Sequence, residues 1–99
     1  MVEREHVLDY LKSKKPEFNR DFSITKLGLF GSYARNEQTG DSDIDLLVEF
    51  ALGTEALSEK KRKIKKAVQV EFQREVDLCR EKYIKPYFSQ QILNSVIYI

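Results

Sequence analysis

Residues 31–50, "GSYARNEQTGDSDIDLLVEF", carry the contradiction on which the fold turns. Ile44 to Phe50 reads as a β-strand, yet Asp43 and Asp45 stand two residues apart at its start. Asp is depleted from strands, and a buried unpaired charge is costly. Successive strand side chains point to opposite faces, so Asp43 and Asp45 share one face while Ile44, Leu46 and Val48 share the other. Two strand steps part the carboxylates by roughly 7 Å. At an effective dielectric of about 20 their repulsion is about 2 kcal/mol. A cation between them would relieve it. A pair of divalent ions clamping an in-line phosphoryl displacement is one chemistry that needs grouped carboxylates. Mg²⁺ suits that chemistry, because it binds through few carboxylates together with substrate phosphates.

The residues upstream supply the complement. Gly31 follows the apolar run "ITKLGLF", and a glycine there lets backbone approach a ligand closely. Ser32 reads as the N-cap of a short helix over 33–38, whose first N–H groups suit an anion. Arg35 adds a cation one turn on. The GxxxxGK[ST] pattern is absent, so this is no Walker A loop. Phosphates at Gly31-Ser32 and metals at Asp43 and Asp45 would put a nucleoside triphosphate between them.

Each element also has a plainer reading. Asp43 and Asp45 alone are compatible with a turn and a strand edge, Gly31-Ser32 with an ordinary strand-to-helix turn, and Arg35 with a helix-surface salt bridge. "DSDID" mimics the start of a calcium loop, but Leu46 replaces its glycine and Leu52 its glutamate, so that reading fails.

Working outward, residues 3–13 have the spacing of an amphipathic helix through Val7, Leu8, Tyr10 and Leu11, which Pro16 is expected to end. "SITKLGLF" is a strand, "EQTGDS" a turn, and Gly53 marks a loop. Residues 55–72 form the clearest helix, with Leu57, Ile64, Val68 and Phe72 on one stripe opposite Lys60, Lys61, Arg62, Lys63, Lys65 and Lys66. "EVDLCR" is a third strand. Pro86 opens a last helix carrying Phe88, Ile92, Leu93 and Val96, and "VIYI" follows. Strands alternating with helices imply an α/β fold, a small mixed three-stranded sheet flanked by helices. Ninety-nine residues suit a single domain over 1–99.

Charge is unevenly spread. Ser58 to Arg74 holds seven Lys/Arg against two Glu, so this segment is +5 and the remainder −4. Without interleaved aromatics the lysine run reads as a solvated helix face rather than a nucleic-acid platform. The lone Cys79 excludes an intramolecular disulfide and a cysteine-rich metal site, and is expected in the core; Tyr33 is expected to pack and His6 to be exposed. No apolar run approaches the roughly 18 residues of a membrane span, and "MVEREH" is no signal peptide, so the cytoplasm is the expected location. Apolar residues near the C-terminus exceed what three strands cover, which points to a homo- or hetero-oligomer.

On "GSYAR", "SDIDLLVEF" and "VDL", with the closing "IKPYFSQQILNSVIYI", the chain resembles the minimal nucleotidyltransferases of the DNA polymerase beta-like superfamily, along essentially its whole length. The resemblance implies a nucleotidyltransferase, polymerase beta palm-like fold, with Gly31 and Ser32 at the triphosphate of ATP, beside which the residue pattern puts Arg35. It implies two Mg²⁺ ions (Mn²⁺ as substitute) on Asp43 and Asp45, with Asp77 as third carboxylate and general base. Asn36 departs from a frequent family glycine, but Asn tolerates the left-handed backbone, so the turn is expected to persist. The family further implies AMP transfer to a hydroxyl, such as a tyrosine of a HEPN-family ribonuclease toxin for which the chain acts as antitoxin. The alternative is a non-catalytic, nucleotide-binding antitoxin that inhibits by steric binding.

Overall fold

The computed structural model describes residues 2–84 and 94–99. Helix α1 (Arg4–Phe22) leads into β1 (Ile24–Phe30), the short helix α2 (Gly31–Ala34) and β2 (Ile44–Phe50). Helix α3 (Leu57–Phe72), β3 (Val76–Arg80), the turn of helix α4 (Glu81–Ile84) and β4 (Ile97–Tyr98) follow. Among the described residues the sheet has four strands in the order β3-β2-β1-β4. β1 runs antiparallel to both β2 and β4, while β2 and β3 are parallel, joined through α3.

Strand parity sorts the side chains as the alternation requires. Leu27 and Leu29 of β1 join Ile44, Leu46 and Val48 of β2 in the main core, against Val7, Leu11 and Phe18 of α1 and Ile64 and Val68 of α3. The two long helices touch each other through Tyr10 and Phe72, whose rings meet edge to face at 5.3 Å. The opposite face holds a smaller cluster, Phe30 and Leu47, with Cys79 and Val96 packed against it. Cys79 is therefore only half-buried, on the small cluster instead of the main core. Tyr33 is fully buried, and His6 is exposed.

Three expectations are corrected. Helix α1 does not stop before Pro16 but carries it inside. Both Lys12 and Pro16 are exposed, so the carbonyl that loses its N–H partner to the proline faces water. Burial of Phe18, with Phe22 5.9 Å from it, holds the helix beyond that point. Second, Ser32 is not a cap: helix α2 is a single turn with Phe30 at its N-cap position, and Ser32 lies within it. Third, among the described residues the sheet has four strands, not three. Ile97 and Tyr98 pair with Leu29 and Gly28, and the Ile99 N–H donates to the Leu27 carbonyl at 2.8 Å. Two residues are too few to produce an alternation signal. Their position is secured from the side: the Tyr98 hydroxyl donates to Glu81 Oε2 at 2.6 Å, and Lys26 pairs with Glu81 Oε1 at 3.1 Å. Of the apolar tail, Ile97 and Ile99 pack against the main core while Tyr98 stays half exposed. The helix expected to open at Pro86, with Phe88, Ile92 and Leu93, lies outside the described residues, and Val96 sits immediately before β4. Among the described residues no helix is long and apolar enough to cross a membrane.

Replacing Pro16 tests the account of α1. Pro16→Ala should raise the unfolding free energy by about 2 kcal/mol, the helix-interior penalty of about 3 less up to about 1 of regained chain entropy. Urea midpoints at constant slope measure it; a lower midpoint would mean that the proline breaks the helix after all.

Candidate active site

Register brings the carboxylates together. In the parallel pairing of β2 with β3, Asp45 stands directly beside Asp77; in the antiparallel pairing with β1, Asp45 stands opposite Phe30, immediately before Gly31. The strand order therefore lines up Asp77, Asp45 and the Gly31 turn across three adjacent strands. Asp43 sits just ahead of β2 and is exposed, as is Asp77, while Asp45 is half-buried.

The backbone at residue 31 is shaped around Asp45. Gly31 has φ +74°, and a Cβ there would lie 2.1 Å from Asp45 Oδ2 and 2.9 Å from its Cγ. Both the conformation and the space exclude a side chain. The Asp45 carboxylate thus rests against bare backbone at the start of α2. The turn then closes on itself: the Arg35 N–H donates to the Gly31 carbonyl at 3.2 Å and the Glu37 N–H to the Ser32 carbonyl at 2.8 Å. Asn36 takes φ +58°, the left-handed conformation expected of it. Below the turn, the hydroxyl of Tyr33 is buried without a hydrogen-bond partner among the described residues.

Electrostatics single out Asp45. Burial, the charges of Asp77 and Asp43, and a hydrogen bond with Asp77 push its carboxyl up from 3.8 to about 6, with Arg35 pulling weakly the other way. The Arg35 side chain itself pairs with Glu37 at 3.3 Å on the surface. Arg35 thus makes the surface salt bridge and also lies within electrostatic reach of Asp45. Burial and the charges of Asp77 and Asp45 likewise push the Cys79 thiol up, with Lys61 opposing.

Among the described residues, no three His, Cys, Asp or Glu side chains converge tightly enough to cage a metal ion unaided. What the residues do offer is a set of hard oxygen donors held near one another at an electrostatic cost. That fits Mg²⁺, which takes few protein carboxylates and completes its shell with water and phosphate oxygens. Beside Asp43 lies a polar groove of about 450 Å³, lined by Gln69, Gln73, Arg74 and Glu75 together with the loop at 40–43. The groove, formed where α3 ends and β3 begins, was not foreseen from sequence; only the register of β3 reveals it.

A family profile described as nucleotidyltransferase domain matches residues 8–99. The protein adenylyltransferase MntA of Thermococcus cleftensis is 29% identical over 99 residues, which span 100% of this chain and 98% of that protein. A solved structure provisionally named a minimal nucleotidyltransferase has a TM-score of 0.78 at 27% identity, covering 97% of this chain and 95% of that one. A toxin–antitoxin crystal structure with AMP-PNP shares the fold, with a TM-score of 0.60 at 22% identity over 88% of this chain and 70% of that chain.

Two substitutions probe the hollow at Gly31. Gly31→Ala should lower the unfolding free energy by at least about 1–2 kcal/mol, read from urea midpoints, the strain of a left-handed non-glycine residue. The second concerns pH. Folded Asp45 keeps its proton up to about pH 6, whereas the unfolded chain releases it near 3.8. The folded state therefore binds more protons in that window, and stability in chelated buffer falls as pH rises through it. Asp45→Asn should match the wild type near pH 3.5 and exceed it above pH 6. Denaturation curves at both ends that differ equally would contradict the assignment.

Proposed function

The chain belongs to the nucleotidyltransferase domain family, and we propose that it transfers AMP from ATP to a hydroxyl of a protein partner, as an antitoxin. The observation that carries this reading is the register of Asp45 beside Asp77, with the Asp45 carboxylate seated against Gly31. It supports a site with phosphates on the β1 side and an acceptor on the β3 side. The chain's similarity to a protein adenylyltransferase and to a toxin–antitoxin pair with AMP-PNP supports the donor and the biological setting.

In this reading Gly31 and Ser32 receive the triphosphate and orient the leaving pyrophosphate, with the Arg35 charge nearby. Asp43, Asp45 and Asp77 would hold Mg²⁺ or Mn²⁺ ions, which when bound neutralise phosphate charge and the repulsion among the carboxylates. Asp77 takes the acceptor proton as general base. The acceptor oxygen bonds to the α-phosphorus as the bond to the pyrophosphate oxygen breaks on the opposite side. Positioning and charge neutralisation supply most of such catalysis. The minimal domain spans 1–99, acts in the cytoplasm where ATP is available, and assembles with its partner, a HEPN-family ribonuclease toxin whose tyrosine is the acceptor.

The direct experiment incubates the chain with α-labelled ATP, Mg²⁺ and the product of the adjacent gene. Label on the partner's tyrosine is expected; binding without label would favour a steric antitoxin. Asp77→Asn should keep ATP affinity within a few-fold of wild type by calorimetry while transfer falls by roughly 10²-fold or more, the scale of a lost general base. Transfer at the wild-type rate would make Asp77 a structural residue.

A further inference from the structure

Helix α3 carries a charge that neither the core nor the candidate site uses. Lys61, Arg62, Lys65 and Lys66 recur along it at helical spacing, and the same side continues through Gln69 to Gln73 at the mouth of the groove beside Asp43. Twelve residues of helix cover about 18 Å. Among the described residues the helix makes one ion pair, Lys63 with Glu59 at 3.3 Å, and Lys60 donates to the Glu55 carbonyl. Among the described residues, Lys61, Arg62, Lys65 and Lys66 make neither an ion pair nor a hydrogen bond. Arg62, Lys63 and Lys66 border a shallow depression of about 420 Å³. Val70, four residues beyond Lys66, is 57% exposed, an apolar side chain at the edge of this polar face, beside Lys66.

The position of this face relative to the site follows from in-line chemistry. Attacking and leaving oxygens stand on opposite sides of the phosphorus. Gly31 follows β1 and Asp77 lies on β3, two strand spacings or roughly 10 Å away. With pyrophosphate departing at Gly31, the acceptor comes in over β3; α3 packs on the other face of the sheet, so its cationic side reaches the aspartates around the β3 edge, through the groove bordered by Gln73 and Asp43.

We propose that the cationic face of α3, from Lys61 to Lys66 and on to the groove at Gln73, is the docking surface for an acidic polypeptide segment that delivers the acceptor hydroxyl to Asp77. This deepens the transferase reading and rests on it. The charge pattern favours a polypeptide over a nucleic acid. Asp41, Asp43 and Glu75 line the groove at the end of the basic stripe, and an unbroken phosphate backbone would run its charges onto them. A polypeptide can put carboxylates over the lysines and a neutral hydroxyl over the aspartates. Val70 gives such a partner an apolar contact at the edge of the charged face, and the face has no aromatic platform for stacking bases.

The test uses the full chain and three fluorescent polymers: a Glu-Tyr copolymer, a Lys-Tyr copolymer and poly(U). Wild type should bind the Glu-Tyr copolymer at least tenfold more tightly than the Lys-Tyr copolymer, with an affinity that falls as salt rises. Changing Lys61, Arg62, Lys65 and Lys66 together to Glu should abolish that preference, and changing them to Gln should weaken it at least fivefold. Melting temperatures of both variants, with and without Mg-ATP, establish that fold and nucleotide site persist. Equal binding of the Glu-Tyr copolymer by wild type and the Glu variant would overturn the proposal. Tighter binding of poly(U) would overturn it in favour of nucleic acid, and a salt-sensitive dimer lost in the variant would overturn it in favour of a second copy. Failure of the transferase reading looks different: Mg-ATP would not stabilise the wild type, and labelled ATP would transfer no AMP to any acceptor, whatever the polymers bind.

Discussion

The contact between the Asp45 carboxylate and the bare backbone of Gly31 sets the rest of the site. Oδ2 of Asp45 fills the volume that any β-carbon at residue 31 would require. The turn can therefore follow β1 only as glycine, and β2 can deliver its carboxylate only at this register. Phe30 opposite Asp45 on one side and Asp77 beside it on the other complete a row across three strands. A slip of one residue in either pairing would send Asp45 into the face that buries Ile44, Leu46 and Val48. The hydrophobic core thus holds the polar row in register from the opposite side of the sheet.

That row is expensive in the free chain. Asp45 is held near Asp43 and Asp77 with the Arg35 charge in opposition, and its carboxyl is pushed up to about 6. Strain of this kind concentrates at functional sites, where the surrounding fold over-determines it. Here the support is the fully buried apolar set on the other face. The same logic explains why the three aspartates form no closed cage: Asp43 and Asp77 are exposed and can adjust to whatever completes the site.

Much of this was legible in the sequence, for reasons that can be stated residue by residue. The bounds of β2 and the inward set Ile44, Leu46 and Val48 followed from period-two alternation, and α3 from its 3.6-residue stripe. Asn36 in the left-handed region followed from its tolerance of that conformation. What failed were effects that local pattern cannot hold. Pro16 inside α1 survives because Phe18, further along the chain, is buried, so tertiary packing overrode a local breaker. Ser32 looked like a cap because capping residues are recognised by type, whereas the helix begins two residues earlier than expected, at Gly31, which lies against Asp45. β4 is two residues long and exists through its partners Gly28, Leu29 and Glu81, all far away in sequence. The neighbour relation of Asp45 and Asp77 is likewise a property of register, visible beforehand only through resemblance.

The two-residue β4 has one more implication, for how the molecule breathes. Segments open independently of global unfolding when few backbone bonds hold them, and β4 is held by its short ladder, the Ile99 amide, the Lys15 ammonium on the Ile99 carbonyl and the Tyr98–Glu81 contact. Its detachment bares the free edge of β1, "ITKLGLF", a run of high β-propensity with a single charge. Unpaired edges of that kind recruit strands from other molecules. Self-association through this edge would then track the rate at which a tyrosine leaves a buried glutamate, and amide exchange along β1 would register each departure.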